Sequence, residues 1–407
     1  MTLHPEHDFI GLAPFLRLSI AGGDLRQVAQ VLLEQARQDQ DNPNLWMNLA
    51  TAFFTLGERD LGLTIQSQAL QMQRRYTLPA RRQPARSRLL VLLNAGDLAE
   101  NTPIDCLLED SDVELIYQYI SAAEPLPADL PEHDAVLVGL SVTDTSQPIL
   151  DALVPLLAHW PKPVINAPQH IPNVEREAAS ALLQGVPGLL IPATWPVDRS
   201  ALAAFADGSR SIEDSFPGGR FPVILRPTGS HGGHGLARID SAAEIDAYLA
   251  AEPENSFYLS NFIDYSGSDG LFRKLRVALI DGQPLPCHMG VSSHWMIHYL
   301  NAGMYEDAAK RAAELAFMEG FAGFAARHAT ALDAIHRRSG LDYLCIDCAE
   351  TRDGELLIFE IDHAMVVHAM DPEELFPYKQ VHMLKVKQAF EDYLYRLQVQ
   401  SAASVRR

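Results

Sequence analysis

The stretch FPVILRPTGSHGGHGLARID, residues 221–240, contains two short runs typical of β-strands, separated by a loop rich in glycine and histidine. Residues 222–225 and, apart from Arg238, residues 236–239 are apolar or β-branched, and the turn formers lie between them. Glycine has no Cβ and adopts positive φ without strain, so Gly232 and Gly233 let the backbone approach another group closely. The sequence therefore predicts a glycine-rich flap, residues 228–235, between two strands.

The flap does not match the common phosphate-binding loops that open a helix. A Walker loop needs a Lys-Ser/Thr pair at the start of a helix, and a dinucleotide fingerprint also needs a following helix, whereas LARIDS at 236–241 is strand-like. A flap between two strands can still direct several N–H groups at a polyphosphate. Glycine-rich turns without any ligand are also common, so the flap alone leaves both interpretations open.

A second stretch, LDYLCIDCAETRDGELLIFEIDHAM at 341–365, predicts a β-hairpin that turns at Asp353-Gly354. A two-residue turn there places Asp347 directly opposite Glu360, with Asp362 on the same face. Like charges at directly opposed positions destabilise a hairpin, so the pattern predicts a cation between the carboxylates. Carboxylates together with nucleotide phosphates are typical ligands of Mg²⁺. The alternative is an acidic hairpin face that is simply exposed to solvent.

Length and composition limit the class of protein. A chain of 407 residues exceeds what one core usually holds, so two or three domains are expected. A net charge of -20 argues against a broad basic surface for nucleic acid or anionic lipid. No apolar run is long enough to span a bilayer and the N-terminus lacks the features of a signal peptide, which predicts a cytoplasmic protein. The four cysteines are too few and too scattered for a disulfide framework.

The chain divides into three predicted parts. Residues 1–80 have apolar residues at helical spacing; Gly23 and Gly57 are 34 residues apart, and residues 42–70 resemble one tetratricopeptide repeat. Fewer than three such repeats cannot bury their own apolar face, so this segment is either a helical cap on the next domain or a peptide-docking segment. Residues 88–170 alternate strand and helix patterns, which predicts a small parallel sheet, and 171–400 are of mixed α+β type.

Taken together, and in their order from residue 88 to 395, these segments resemble the ATP-grasp superfamily. The resemblance is to its carboxylate–amine ligases, such as glutathione synthetase and the ribosomal-protein glutamate ligases. It implies a fold of α/β and α+β type, with an all-α repeat-like segment, a small parallel-sheet domain that precedes the ATP-grasp domain, and the ATP-grasp domain itself. It also implies ATP and Mg²⁺ as cofactors.

The resemblance assigns residues of this chain to three roles. Residues implied in nucleotide binding lie before the flap, in it and in a hinge after it: Arg176, Arg226, Ser230, His231, Gly232, Gly233, Asn261, Phe262 and Ile263. The implied metal ligands are Asp347, Glu360 and Asp362, and the implied catalytic residues are Arg276, His288 and His298. Arginines 176 and 226 stand where the family usually has lysines, and Asp362 stands where it usually has Asn. Arginine can still grip phosphate with its fork of donors.

Three functions are compatible with this pattern. The first is a ligase that phosphorylates a carboxylate with Mg-ATP and joins it to an amine, releasing ADP and phosphate. The second is a kinase of the same fold that phosphorylates a hydroxyl. The third is a scaffold whose helical segment docks a partner and whose nucleotide domain is a sensor. Expected partners are small-molecule or peptide carboxylates and amines, with a protein partner for the helical segment and a homodimer left open; neither nucleic acid nor membrane is expected.

Overall fold

A computed structural model describes residues 8–230 and 232–405. The chain begins with a helical segment in which short polar side chains start the longer helices. The Asp24 carboxylate accepts a hydrogen bond from the Gln27 amide, and the Asn42 side chain accepts one from Asn44, which satisfies amides at the helix N-termini. Its helices are α1 (Ala13–Ile20), α2 (Leu25–Gln38), α3 (Pro43–Thr55) and α4 (Arg59–Met72). The helices lie where predicted; the tetratricopeptide assignment stays a prediction.

The first sheet has five strands in the order β1-β3-β2-β4-β5. Strands β2 to β5 pair with one another in parallel, which confirms the predicted parallel sheet, and the edge strand β1 is antiparallel to β3. Strand β1 comes from the end of the segment predicted to be helical, so this segment contributes an edge strand. The elements are β1 (Arg75–Leu78), β2 (Ser87–Asn94), α5 (Ile104–Leu108), β3 (Val113–Ile120), β4 (Ala135–Val138), α6 (Gln147–Leu157) and β5 (Val164–Ile165).

The second sheet is antiparallel, with the order β7-β10-β8-β9, and carries the flap between β8 and β9. Its two predicted flap strands are therefore paired with each other. Helices α8 and α10 bury their apolar side chains against the sheet in a separate core. The elements are α7 (Arg176–Leu183), β6 (Leu189–Leu190), β7 (Thr194–Asp198), α8 (Arg199–Ala206), α9 (Ile212–Ser215), β8 (Val223–Pro227), β9 (Ala237–Ile239), α10 (Ile245–Ala251) and β10 (Ser256–Asn261).

The third sheet has the order β12-β11-β13-β14-β6 and contains the predicted acidic hairpin as β13 and β14. Helices α11 to α13 pack on one face, and the long C-terminal helix α14 packs on the other. The elements are β11 (Phe272–Ile280), β12 (Gln283–Ser292), α11 (Ala308–Glu319), α12 (Phe321–Arg327), α13 (Ala329–Ser339), β13 (Tyr343–Glu350), β14 (Leu356–Asp362) and α14 (Pro377–Val405).

One core ties the helical segment to the remainder of the chain. Met47 and Leu70 of the helical segment share this core with the first sheet, the third sheet and Phe390 of α14. Cys345 belongs to this core, while Cys348 belongs to the core on the other side of the third sheet, as expected for two residues three apart in a strand. All four cysteines are free and buried. Of the helices among the described residues, none combines the length and the apolar character needed to cross a membrane.

Candidate functional site

A cavity of about 320 Å³ lies between the second and third sheets. Strands β8 and β10 and the flap line one side, and β11, β13 and β14 line the other. Most of the residues that the sequence assigned to a site line this cavity: Arg176, Arg226, Gly232, Gly233, Asn261, Phe262, Ile263, Arg276, His298, Asp347 and Glu360. Residues that are more than 180 positions apart in the chain therefore meet at one place.

The acidic hairpin pairs Asp347 with Glu360 as predicted, but its turn is not the predicted one. Asp347 lies directly opposite Glu360, as expected. The turn, however, holds three residues, 352–354, because the Thr351 amide bonds to the Glu355 carbonyl at 2.9 Å. This shifts the pairing near the turn by one residue, and an irregularity beside Asp347 shifts it back. The prediction of a two-residue turn was wrong, and the bulge restores the pairing of the two carboxylates.

The Asp347 carboxylate is neutralised by two protein cations. Arg276 donates from Nε to Oδ1 at 2.8 Å and from Nη2 to Oδ2 at 3.1 Å, and Lys274 Nζ lies 2.7 Å from Oδ2. The side chain of Asp347 is only 3% exposed. Burial alone would raise the pKa of Asp347, but Arg276 and Lys274 hold this pKa well below its usual range. Asp347 is therefore ionised at neutral pH.

The Glu360 carboxylate is paired with Arg176 at the same end of the cavity. Arg176 Nη2 lies 3.0 Å from Glu360 Oε2. Burial raises the pKa of Glu360, and Arg176 opposes this effect strongly enough that the pKa ends below its usual value. Arg176 opens α7, so the start of one helix and the end of β14 bring these two charges together.

Arg226 at the end of β8 fixes the entry to the flap. Its Nε donates to the Ser230 hydroxyl at 3.2 Å, and its Nη2 also donates to the Ser230 carbonyl. Ser230 thus faces Arg226 and is not among the residues that line the cavity. Burial, followed by the charge of Arg176, lowers the pKa of Arg226 to about 10. Arg226 consequently keeps its positive charge at neutral pH.

The flap lies directly against His298. A Cβ added at Gly233 would be 2.3 Å from His298 Nε2, and Gly233 has a φ of +77°. Only glycine therefore allows this close approach. Burial, then the charge of Lys274, lowers the pKa of His298 below its usual value, so the ring is neutral at neutral pH.

The opposite end of the cavity is apolar. Phe262 and Trp295 pack edge to face with ring centroids 5.7 Å apart, and Ile263 and Leu357 continue the same wall. The Asn261 side chain turns to the loop before β8, where it accepts from the Arg220 amide at 3.1 Å and donates to a carbonyl at 2.9 Å. An apolar slot beside a charged end is suited to a flat aromatic group that carries an anionic tail.

Of the predicted site residues that the structure describes, Ser230, His288 and Asp362 do not line the cavity. His288 lies opposite Arg276 in the sheet and packs on Tyr299 at 4.9 Å between ring centroids; burial and the charge of Arg276 lower its pKa well below the usual value. Asp362 accepts from the Ala364 amide at 2.9 Å and lies 3.5 Å from His363 Nδ1. His231 lies outside the described residues. A catalytic role for His288 and a metal-binding role for Asp362 stay predictions.

Sequence reasoning expected Lys274 to add positive charge beside Arg276, but did not predict its contact with Asp347. The pattern RKLR at 273–276 contained the signal, because alternate residues of a strand share a face. Lys274 and Arg276 accordingly both face the cavity, while Arg273 points the other way and pairs with Asp269. The sequence predicted a cation between the opposed carboxylates. In the structure, cationic side chains of the protein itself neutralise both carboxylates.

The donor set fits Mg²⁺ on one condition. Asp347 and Glu360 offer hard carboxylate oxygens from directly opposed positions, which is the ligand type that Mg²⁺ takes beside phosphate. Both carboxylates are engaged by arginine or lysine, so a bound metal requires an anion that draws these cations away. A polyphosphate is such an anion.

No protein-family model matches this chain, and no curated protein matches it in sequence. Among solved structures, it is similar to a D-alanine–D-alanine ligase from Bacillus anthracis, complexed with ATP. The identity is 12%, the TM-score 0.43, and the match covers 77% of this chain and 99% of the other.

A second similar structure is the VanG D-Ala:D-Ser ligase from Enterococcus faecalis, with 12% identity, a TM-score of 0.45, and coverage of 77% of this chain and 99% of the other. A third is the RimK domain protein ATP-grasp from Sphaerobacter thermophilus, with 15% identity, a TM-score of 0.42, and coverage of 76% of this chain and 100% of the other. All three TM-scores are below 0.5.

Proposed function

We propose that the protein is an ATP-dependent ligase that joins a carboxylate to an amine through an acyl phosphate and releases ADP and phosphate. One observation carries the proposal. The opposed carboxylates Asp347 and Glu360 lie under a glycine-rich flap, in one cavity with four cationic side chains. Phosphoryl transfer depends mainly on positioning and on neutralising the charge of the transferred group, and this set of residues offers both.

The charge balance of the cavity favours a polyanion. Arg176, Arg226, Lys274 and Arg276 against Asp347 and Glu360 leave a formal charge of +2. Phosphate oxygens would compete with the two carboxylates for these cations, and arginine binds phosphate with two parallel donors. In this proposal the apolar end, with Phe262 and Ile263, receives the base of the nucleotide.

Asp347 and Glu360 are the residues that would hold Mg²⁺, which supplies further charge neutralisation at the phosphates when bound. The chemistry has two steps. A substrate carboxylate oxygen attacks the γ-phosphorus and the bond to ADP breaks; an amine nitrogen then attacks the acyl carbon and phosphate leaves. The amine also loses a proton. His298 is suited to accept it, because its ring lines the cavity and its pKa is lowered.

The first experiment is a calorimetric titration of Mg-ATP into the wild-type chain and into Glu360→Gln, each repeated without metal. Glu213→Gln is the matched control, because Glu213 is exposed on α9. We expect metal-dependent binding that is at least tenfold weaker in Glu360→Gln and unchanged in Glu213→Gln. No binding of Mg-ATP to the wild-type chain would overturn the proposal and favour the scaffold alternative.

The reaction type is tested by ADP release in the presence of paired carboxylates and amines, with amino acids and dipeptides as the first panel. A ligase releases ADP and free phosphate only when both partners are present. ADP formation with phosphate retained on a hydroxyl compound would replace the ligase by a kinase. Unchanged turnover in Glu360→Gln would contradict the assigned metal-binding pair.

A further inference from the structure

A second cluster of possible metal ligands lies outside the cavity, where the flap returns to the body of the protein. It consists of His234 of the flap and of Glu252 and Glu254, which follow α10. One imidazole nitrogen and one oxygen from each carboxylate lie within 4.8 Å of one another. None of the three residues lines the cavity between the second and third sheets.

Backbone contacts bring this cluster together. Arg199 holds the loop by donating to three backbone carbonyls, including that of Glu254 at 2.9 Å. On the flap side, the Tyr248 hydroxyl donates to the Gly235 carbonyl at 2.9 Å, and a Cβ added at Gly235 would be 2.9 Å from Glu252 Oε2. The end of the flap is thus packed directly against the acidic loop.

Among the described residues, no side-chain cation pairs with either carboxylate. Within residues 8–230 and 232–405, neither Glu252 nor Glu254 forms a side-chain ion pair. The nearby Arg199 donates its hydrogen bonds to backbone carbonyl oxygens instead. Glu254 Oε2 is shielded from solvent and has no hydrogen-bond partner among these residues. Burial, followed by the charges of Glu252 and Glu254, raises the pKa of Tyr248. A buried anionic oxygen without a partner costs stability unless a cation neutralises it.

We propose that His234, Glu252 and Glu254 bind a divalent transition-metal ion, with Zn²⁺ as the best match. Imidazole nitrogen and carboxylate oxygen are both donors that Zn²⁺ takes in proteins, and exposed His234 leaves a fourth position open to water. Zinc bonds of about 2.1 Å require the ligand atoms to lie roughly 3.4 Å apart, so a small closure of the flap completes the site. Mg²⁺ is a poor competitor, since it prefers an all-oxygen shell.

The bound ion ties the flap to the body of the second sheet. His234 directly follows Gly233, which packs against His298 over the cavity. An ion that holds His234 therefore holds the flap closed, and loss of the ion releases it. Metal binding itself is independent of the proposed ligase function; only an effect on nucleotide exchange would rest on that function.

The test is a calorimetric titration of Zn²⁺ alone into the full chain, purified without a histidine tag and stripped with chelator. His234→Ala and Glu254→Gln remove ligands, and the matched controls are His159→Ala and Glu213→Gln, which change exposed residues outside the cluster. We expect one site that weakens at least tenfold in both ligand variants and persists in both controls. Glu360→Gln should still bind Zn²⁺ at this site. A failure of the zinc proposal can therefore be distinguished from a failure of the proposed ATP site.

The effect of the bound ion on the flap is measured by hydrogen exchange of residues 228–235 with and without Zn²⁺. We expect slower exchange with Zn²⁺ in the wild-type chain and no such change in His234→Ala. The proposal is overturned if the wild-type chain binds no Zn²⁺, if His234→Ala binds it as tightly as the wild type, or if flap exchange does not respond to the metal.

Discussion

At the scale of single residues, Asp347 determines how the charged end of the cavity is held together. Its carboxylate receives two bonds from Arg276 and one contact from Lys274, and Arg276 also donates to the Val366 carbonyl at 3.1 Å. We expect Asp347→Asn to lower the free energy of unfolding by about 3 kcal/mol, because two partly buried cations lose their counter-charge. Urea unfolding at pH 7 measures this change.

Asp269→Asn is the matched control, since Asp269 pairs with Arg273 in the same way at an exposed position and should show no measurable change. The effect also depends on pH. The pKa of Asp347 is lower in the folded chain than its ordinary 3.8, so its contribution is full well above that value and is lost as pH falls toward the folded pKa. The difference between wild type and Asp347→Asn should therefore shrink below about pH 4. Equal losses in the two variants at pH 7 would contradict this account.

His298 is expected to stay neutral at a pH where an exposed histidine is half protonated. Burial and the charge of Lys274 both lower its pKa below 6.5. Nuclear magnetic resonance of histidine-labelled protein, with the His298 signal assigned by its loss in His298→Gln, should show a midpoint below pH 6.5 in the nucleotide-free chain. A midpoint at or above 6.5 would remove the physical basis for His298 as the proton acceptor.

At the scale of secondary-structure elements, the sequence predicted types and positions better than local irregularities. The flap strands and the acidic hairpin follow from β-branched residues, turn formers and strand periodicity, all of which are local signals. The three-residue turn and the bulge beside Asp347 were not predicted, because a bulge depends on the packing of both faces of the third sheet. The ion pairs that neutralise the two carboxylates were also not predicted, because Arg176 and Lys274 are distant from them in the chain.

The flap should close only with glycine at position 233. Gly233→Ala places a methyl group 2.3 Å from His298 Nε2, whereas Gly229 has nearly the same φ, +72°, and nothing within 4 Å of an added Cβ. Both variants pay about 1 kcal/mol for a left-handed residue, but only Gly233→Ala also prevents the flap from meeting His298. We expect Mg-ATP to bind at least tenfold more weakly to Gly233→Ala than to Gly229→Ala in calorimetry. Equal affinities would mean that the flap does not close on the nucleotide.

At the scale of the whole molecule, the helical segment is part of the fold. Its periodicity predicted the helices, but sequence alone could not choose between a cap and a peptide-docking segment, because the deciding contacts are long-range. Gln66 of α4 is 3% exposed and pairs with the backbone of Gly96 after β2, donating to its carbonyl at 3.0 Å and accepting from its amide at 2.9 Å. Met47 and Leu70 add apolar contacts to the same core as the first sheet. These contacts favour the cap.

Gln66→Leu tests whether the helical segment and the first sheet unfold together. The change leaves a buried amide and a buried carbonyl of Gly96 without partners, at roughly 1–3 kcal/mol each. We expect a single cooperative unfolding transition whose urea midpoint is lower than that of the wild type. Hydrogen exchange should become faster in α3 and α4 and also in β2 and β3. Gln30→Leu, at an exposed position of α2, should change neither. If Gln66→Leu loosens only the helices and leaves the sheet protected, the segment behaves as a separate unit, and peptide docking becomes the better account of it.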